Sequence, residues 1–182
     1  WSNLAFANEL TAYRKEIFTL VKNANSHQRR NNGIIKDVTK KIDLTKIIPA
    51  HKLYSPGRLF GAAESIYWCN SKNEKVYIIS ALFGLIRADN YIPNYDFALG
   101  DLINNVETNY WDNKLDSLIT GLMNDDCQIV NLLSLNYSKI LTRPTLNNLL
   151  NPNILFESNE RNVRSIKRGL WLKDQLDPIV CG

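Results

Sequence analysis

The stretch VYIISALFGLIRADNYIPNYD, residues 76–96, decides how the rest of the chain is interpreted. It opens with a β-branched, apolar run that is typical of a buried strand. Charged and phenolic side chains follow directly, among them Arg87, Asp89, Tyr95 and Asp96. A strand that only completes a core has no need of guanidinium, carboxylate and phenol groups at its end. The stretch therefore predicts a buried strand that leads into a polar binding or catalytic site.

Apolar periodicity elsewhere predicts helices that flank a few short strands, the pattern of an α/β protein. Helices are expected over residues 3–23, 57–70, 106–125 and 162–176. Strands are expected over residues 75–81, 127–133 and 153–158. The first two strands are apolar throughout, so we expect them to be buried, parallel and joined by a right-handed crossover. Residues 23–33 are expected to form a basic polar loop. The predicted fold is α/β, with a small mixed sheet and flanking helices.

Charge is distributed unevenly along the 182 residues. Residues 1–60 carry 11 Lys and Arg against 4 Asp and Glu, a net charge of +7. Residues 61–160 carry 6 against 12, and residues 161–182 carry 5 against 2. Lys and Arg at both ends can neutralise phosphates and release counterions, so this pattern favours a nucleic-acid partner. The alternative is that the cations form a solvated surface without a ligand.

Several classes of protein and site are disfavoured by what the sequence lacks. Its three Cys residues are odd in number and widely spaced, which argues against a disulfide framework and fits a reducing cytoplasm. Two histidines cannot build a histidine-rich metal centre, and no metal is expected. No glycine-rich nucleotide motif follows a strand, so no cofactor is expected. No apolar run is long enough to span a membrane, and no membrane partner is expected.

The length predicts a single domain over residues 1–182. Within it we expect a basic, helical amino-terminal part, residues 1–50, followed by an α/β core, residues 51–182. We expect the protein to be a monomer. Because the chain begins with Trp1 rather than Met, we also expect that a further segment precedes it.

Four blocks of the sequence, in order, resemble the YaaA (peroxide-stress, DUF328) family. The first block, IISALFGLIRADNYIPNYDFALGD, is similar to the strand-loop signature of the family. Its matching residues are Ser80, Gly84, Leu85, Arg87, Asp89, Ile92, Pro93, Tyr95 and Gly100. The other blocks are YWDNKLDSLI, IVNLLSLNYSKIL and SIKRGLWLKDQL. The resemblance covers about residues 54–176, whereas the amino-terminal block of the family is absent.

The resemblance implies an α/β core with a positively charged cleft and a helix-hairpin-helix-like element. It also implies DNA binding and a link to peroxide stress, so we expect a cytoplasmic protein that binds DNA or another nucleic acid. The alternative is a DNA glycosylase or another enzyme that modifies a flipped nucleobase, which would need an aromatic platform and a carboxylate. A further alternative is a domain of a larger phage-defence or modification protein.

The candidate catalytic residues come from the opening stretch and from the third block: Arg87, Asp89, Tyr95, Asp96, Ser134 and Tyr137. Tyr91 or Tyr95 is the candidate platform for a base, and Asp89 or Asp96 is the candidate carboxylate. Structural roles are the alternatives, since Arg87 can pair with either carboxylate and the serine can cap a helix.

The candidate nucleic-acid contacts are basic residues from both ends of the chain: Arg29, Arg30, Arg58, Arg161, Arg164, Lys167 and Arg168. Arg161, Arg164 and Arg168 fall on one face of the expected terminal helix, at steps of three and four. Such a face suits a row of phosphates, and the alternative is an ordinary solvated face.

Overall fold

A computed structural model of the chain describes residues 7–31, 33–38, 42–54, 58–62, 76–123, 129–150 and 161–175. Within these ranges, the description leaves out the side chains of residues 7, 58, 60, 161–165 and 175. The helices are α1 (Ala7–Lys22), α2 (Ala50–Tyr54), α3 (Arg58–Ala62), α4 (Asp116–Met123), α5 (Leu135–Ser138), α6 (Arg143–Asn148) and α7 (Arg161–Gln175). The strands are β1 (His27–Asn31), β2 (Ile34–Asp37), β3 (Asp43–Pro49), β4 (Tyr77–Ser80), β5 (Gly84–Arg87), β6 (Tyr91–Asn94), β7 (Leu102–Ile103) and β8 (Val106–Glu107).

These strands form three small antiparallel sheets. The first has the order β2–β1–β7–β8, and the other two are the pairs β3–β6 and β4–β5. The chain combines these sheets with helices, so the predicted α/β class is confirmed. The prediction of parallel strands is wrong for the described residues, in which the parallel contact is an isolated bridge between Val130 and Leu150.

Residues 76–96 contain three strands, where the sequence predicted one strand and a loop. β4 turns back into β5, with Ile78 opposite Ile86 and Ile79 opposite Leu85. Because paired residues share a face, the first pair packs into one apolar cluster and the second pair into another. Both faces of this hairpin are buried, which explains why its sequence has the uninterrupted apolar pattern of a parallel strand.

The turn between β4 and β5 depends on Gly84 and Ser80. Gly84 has a φ of +64°, a conformation that glycine adopts at little steric cost. The hydroxyl oxygen of Ser80 accepts hydrogen bonds from the backbone N–H groups of Leu82 at 3.2 Å and Phe83 at 2.9 Å. The ring of Trp111 packs over Gly84, where an added Cβ would lie 2.6 Å from two of the ring atoms. A bare glycine is therefore needed both for the turn and for this packing.

Trp111 lies in the larger apolar cluster and is fully buried. Its indole N–H donates a hydrogen bond to the backbone oxygen of Ala81 at 2.6 Å, which satisfies the polar atom of a core side chain. Helix α1 covers the same cluster with Leu10 and Ile17, two of the residues whose spacing predicted an amphipathic helix.

Helices α1 and α7 make further contacts around the β4–β5 hairpin. Arg14 of α1 donates hydrogen bonds to the backbone oxygens of Phe83 at 2.8 Å and Leu85 at 2.7 Å. Leu172 of α7 packs against the smaller apolar cluster, which contains the second face of the hairpin. Helix α7 packs against α3 as well. The hairpin is therefore enclosed by elements from both ends of the chain.

The helix predictions differ in how well they hold. The helix expected over residues 3–23 is confirmed as α1, and the helix expected over residues 162–176 is confirmed as α7, while residues 3–6 and 176 lie outside the described residues. The helix expected over residues 57–70 begins as α3, and its part after residue 62 lies outside the described residues.

The helix expected over residues 106–125 begins only at Asp116. Of the residues before Asp116, Val106 and Glu107 form β8, which pairs with β7 in a hairpin, and residues 108–115 form neither helix nor strand. Asn104 and Asn105, at the hairpin turn, have φ of 51° and 65°, the left-handed values of a two-residue turn, which asparagine tolerates. The apolar spacing was right for the second half of the segment and wrong for the first.

Two strand and loop predictions are also wrong. Residues 27–31, predicted to belong to a polar loop, form β1. Residues 129–133, the described part of the second predicted strand, form a single bridge instead, through Val130. The backbone N–H of Leu133 donates to the Asn131 side-chain oxygen at 2.9 Å rather than to a neighbouring strand. The predicted crossover is therefore wrong in the described part. The strand expected over residues 153–158 lies outside it.

Candidate functional site

Three hydroxyl groups meet near the carboxyl end of β4. Tyr95 directly follows β6, Ser80 is the last residue of β4, and Tyr54 is the last residue of α2. The Tyr95 hydroxyl lies 2.6 Å from the Ser80 hydroxyl and also hydrogen bonds with the Tyr54 hydroxyl. Burial raises the pKa of Tyr95 well above its usual value, and burial also raises the pKa of Tyr54. Both phenols are therefore neutral at physiological pH and act as donors and acceptors.

A buried carboxylate, that of Asp101, forms the second part of the site, with an exposed fraction of 1%. Arg29 on β1 donates to both of its oxygens, from Nε at 2.7 Å and from Nη2 at 2.8 Å. His27 Nε2 lies 2.8 Å from Oδ2, and the backbone N–H of Ala98 donates to the same oxygen at 2.9 Å. Burial alone would raise the pKa of Asp101, but the hydrogen bonds from Arg29, Ala98 and His27 outweigh burial and lower this pKa.

Asp96 and Tyr137 complete the site. Asp96 directly follows Tyr95, and its Oδ1 forms an ion pair with Arg29 Nη1 at 2.8 Å. Burial, together with interactions with Tyr54 and Asp101, raises the pKa of Tyr137 on α5 to about 12. Tyr137 therefore lies within electrostatic range of both parts. We call the whole set the tyrosine–arginine cluster: His27, Arg29, Tyr54, Ser80, Tyr95, Asp96, Asp101 and Tyr137.

The cluster reaches solvent at Asp96 and Arg29, whose side chains are 41% and 35% exposed. A polar ligand approaching this edge would meet a carboxylate and a guanidinium first. The carboxylate of Asp101 behind them is inaccessible to solvent. Asp96 and Arg29 thus form the accessible edge of the cluster. The buried Asp101 holds the Arg29 side chain, and Arg29 in turn holds Asp96.

The predicted catalytic residues are divided between different places. Tyr95, Asp96 and Tyr137 come together in the cluster. Arg87 and Asp89 form a two-point pair of their own, with Nε–Oδ1 and Nη2–Oδ2 distances of 3.0 and 2.6 Å, and both side chains are nearly half exposed. The structural alternative for Arg87, pairing with Asp89, is thus the arrangement observed.

Two further predicted residues lie on the surface. Ser134 occupies the N-cap position of α5, yet its hydroxyl makes no capping hydrogen bond and the residue is exposed. Tyr91, one of the two candidate platforms for a base, is 72% exposed on β6. The other candidate platform is the central phenol of the cluster.

The predicted nucleic-acid contacts are divided as well. Arg29 is bound by two carboxylates inside the cluster. Arg168 Nη1 donates to the backbone oxygens of Leu132 at 3.1 Å and Leu133 at 2.6 Å, so it docks α7 onto the segment before α5. Arg30 and Lys167 are exposed. The side chains of Arg58, Arg161 and Arg164 lie outside the description.

Comparison with protein families identifies where this chain belongs. A family model described as peroxide stress protein YaaA matches residues 8–169. The chain belongs to the YaaA family. The match confirms the resemblance to the family, includes the first three blocks and the start of the fourth, and includes every residue of the tyrosine–arginine cluster. No curated protein and no solved structure gives a significant match.

Four residues of this candidate site were not among the site residues predicted from the sequence: His27, Tyr54, Ser80 and Asp101. Ser80 was matched only as a residue of the first family block. One local signal was present for His27, because the Asn-Gly pair that ends in Gly33 is typical of a two-residue hairpin turn. The alternation of the strand before that turn then places His27 and Arg29 on one face. Tyr54 and Asp101 have no comparable signal, since their partners are distant in sequence.

The arrangement can hydrogen bond the polar edge of a ligand and place a carboxylate beside it. Neutral phenols donate and accept, and the Arg29 guanidinium keeps the Asp96 carboxylate in one orientation. Among the residues that the structure describes, no group of three or more His, Cys, Asp or Glu is placed to hold a metal ion. None of the described helices is long and apolar enough to cross a membrane.

Proposed function

We propose that this YaaA-family protein binds DNA and acts in the cytoplasm, as a monomer, in the response to peroxide stress. The observation that carries DNA binding is the net charge of +7 in residues 1–60, part of which the fold displays on one hairpin. Arg30 and Lys36, on adjacent strands β1 and β2, are exposed and take part in none of the ion pairs of the described residues. Exposed cations without carboxylate partners are suited to phosphates.

The proposal assigns different roles to the basic residues. Arg29 and Arg168 serve the protein itself, through carboxylates and backbone oxygens respectively. Arg30, Lys36 and Lys167 are exposed and supply the proposed phosphate contacts. The cytoplasmic location is supported by the three widely spaced Cys residues, and the stress response is supported by the description of the family.

Fluorescence anisotropy with a short labelled DNA duplex, over a series of salt concentrations, tests this function. Each phosphate contact contributes about −0.9 to the slope of log K against log salt, so three contacts predict a slope of about −2.7. Steep weakening with salt is the expected result. A protein that binds no duplex even at low salt would refute DNA binding.

One observation favours a second candidate function, the cleavage of a glycosidic bond or another modification of a nucleobase. Asp96 is partly exposed, is held by Arg29, and directly follows the phenol at the centre of the cluster. A carboxylate in such a position suits the activation of water or the stabilisation of an oxocarbenium ion. An assay for abasic sites in DNA tests this candidate, because a DNA-binding protein without enzymatic activity forms none.

A further inference from the structure

The β1–β2 hairpin extends beyond the sheet to which it belongs. The pairing of β1 with β7 is limited to His27 and Gln28, at the start of β1. The following residues, 29–31, pair with residues 34–36 of β2, and among the described strands β2 has no second neighbour in this sheet. Residues 29–31 and 33–36 therefore form a two-stranded ribbon that overhangs the sheet, and we call these residues the ribbon.

The end of the ribbon is exposed on both faces. Ile34 and Ile35 are 59% and 49% exposed, and consecutive strand residues point to opposite faces. A Cβ added to Gly33 at the turn would meet no atom within 4 Å. Single exposed apolar side chains are common, but two at one tip, on opposite faces, contribute to neither apolar cluster of this protein.

Both faces of the ribbon carry the same combination of side chains. Arg30 is paired with Ile35, and these two share one face. Lys36 shares the other face with Ile34, two residues before it. The sequence of residues 29–36, RRNNGIIK, contains three cations and no acidic residue. The exposed Asp37 follows on the face of Arg30, at the base of the ribbon, and accepts a hydrogen bond from Gln28 Nε2 at 2.9 Å. Each face thus presents one exposed cation and one exposed isoleucine.

We propose that the ribbon inserts into the major groove of duplex DNA, an inference that rests on the proposed DNA binding. The major groove is about 12 Å wide and admits a two-stranded β-ribbon. Phosphate backbones flank the groove on both sides, which matches cations on opposite faces of the ribbon. The isoleucines at the tip then reach the base edges, where apolar side chains contact thymine methyl groups.

Two double variants test the cations of the ribbon by anisotropy with a short duplex. Arg30→Ala with Lys36→Ala should weaken binding about tenfold and reduce the salt slope by about 1.8, because two phosphate contacts are lost. Lys139→Ala with Arg143→Ala is the matched control. It removes the same charge from exposed positions in the acidic middle of the chain and should leave affinity and slope unchanged.

A third variant tests the apolar tip. Ile34→Ser with Ile35→Ser should weaken duplex binding several-fold while the salt slope stays the same, since no charge changes. Both positions are exposed, so the melting temperature should be unaffected. The same variants are measured on single-stranded DNA, which has no groove.

The outcomes separate the inference from the function on which it rests. Wild-type binding that both ribbon variants retain in full would overturn the inference and leave DNA binding standing. An isoleucine variant that loses duplex and single-stranded DNA equally would overturn groove insertion. A wild-type protein that binds no duplex would overturn both proposals.

Discussion

At the level of single residues, two Arg–Asp pairs of this protein differ in burial and therefore in their expected contribution to the free energy of unfolding. Asp101 is 1% exposed and is bound by Arg29, whereas Asp89 and Arg87 are nearly half exposed. Asp101→Asn should lower the free energy of unfolding by about 3 kcal/mol, because it leaves a guanidinium facing an uncharged, buried group. Asp89→Asn should cost less than about 1 kcal/mol. Urea unfolding measures both, and equal costs would contradict the assigned burial.

The same residue makes the stability depend on pH. The pKa of Asp101 in the folded protein lies below its ordinary value of 3.8, so its contribution is complete above that pH and is lost as the pH falls through the lower, folded-state value. The difference in unfolding free energy between the wild type and Asp101→Asn should therefore shrink as the pH falls below 3.8. A difference that stays constant at lower pH would show that the carboxylate is not stabilised in the folded protein.

At the level of secondary-structure elements, two hairpin turns contain a glycine with a positive φ, and the two glycines differ in the space around them. Gly84 and Gly33 have φ of +64° and +80°, but only Gly84 lies against Trp111. Gly33→Ala should cost about 1 kcal/mol from backbone strain alone. Gly84→Ala should cost at least about 1 kcal/mol more, because the new methyl group overlaps a buried indole. Thermal or urea unfolding of the two variants measures this difference, and similar costs would contradict the packing of Trp111.

The Arg168 side chain attaches helix α7 to the segment before α5. Arg168→Ala removes hydrogen bonds to two backbone oxygens and should lower the unfolding free energy by about 1–3 kcal/mol. Lys167→Ala, at the exposed neighbouring position, should change it by no more than about 0.5 kcal/mol. Hydrogen exchange in α7 should accelerate in the first variant only. Equal acceleration in both would indicate that Arg168 does not dock the helix.

At the scale of the whole molecule, product formation distinguishes a DNA-binding protein from an enzyme. The wild type, in excess over duplexes with damaged or modified bases, should produce no abasic sites detectable by alkali cleavage. The appearance of such sites would establish the second candidate function. Asp96→Asn should then abolish product while the melting temperature barely moves, since its ion pair with Arg29 is partly exposed.

The features of this protein that depend on local patterns can be predicted from its sequence. Helices α1 and α7 follow from apolar residues at steps of three and four, and the mixed α/β class follows from their alternation with short apolar runs. The family follows from four ordered blocks, and the candidate residues Tyr95, Asp96 and Tyr137 lie within two of these blocks. These features need no knowledge of which segments pair, because each is encoded within one segment.

Only the tertiary structure decided which segments pair and which charges meet. An apolar run indicates that both faces of a strand are buried. It does not distinguish a buried parallel strand from the enclosed β4–β5 hairpin, because both are covered on two faces. Arg29 and Asp101 are separated by 72 residues, so nothing near Arg29 in the sequence distinguishes an internal partner from a phosphate. Burial favours pairing of a guanidinium with a carboxylate, since an unpaired buried charge is costly, and burial is a property of the assembled fold.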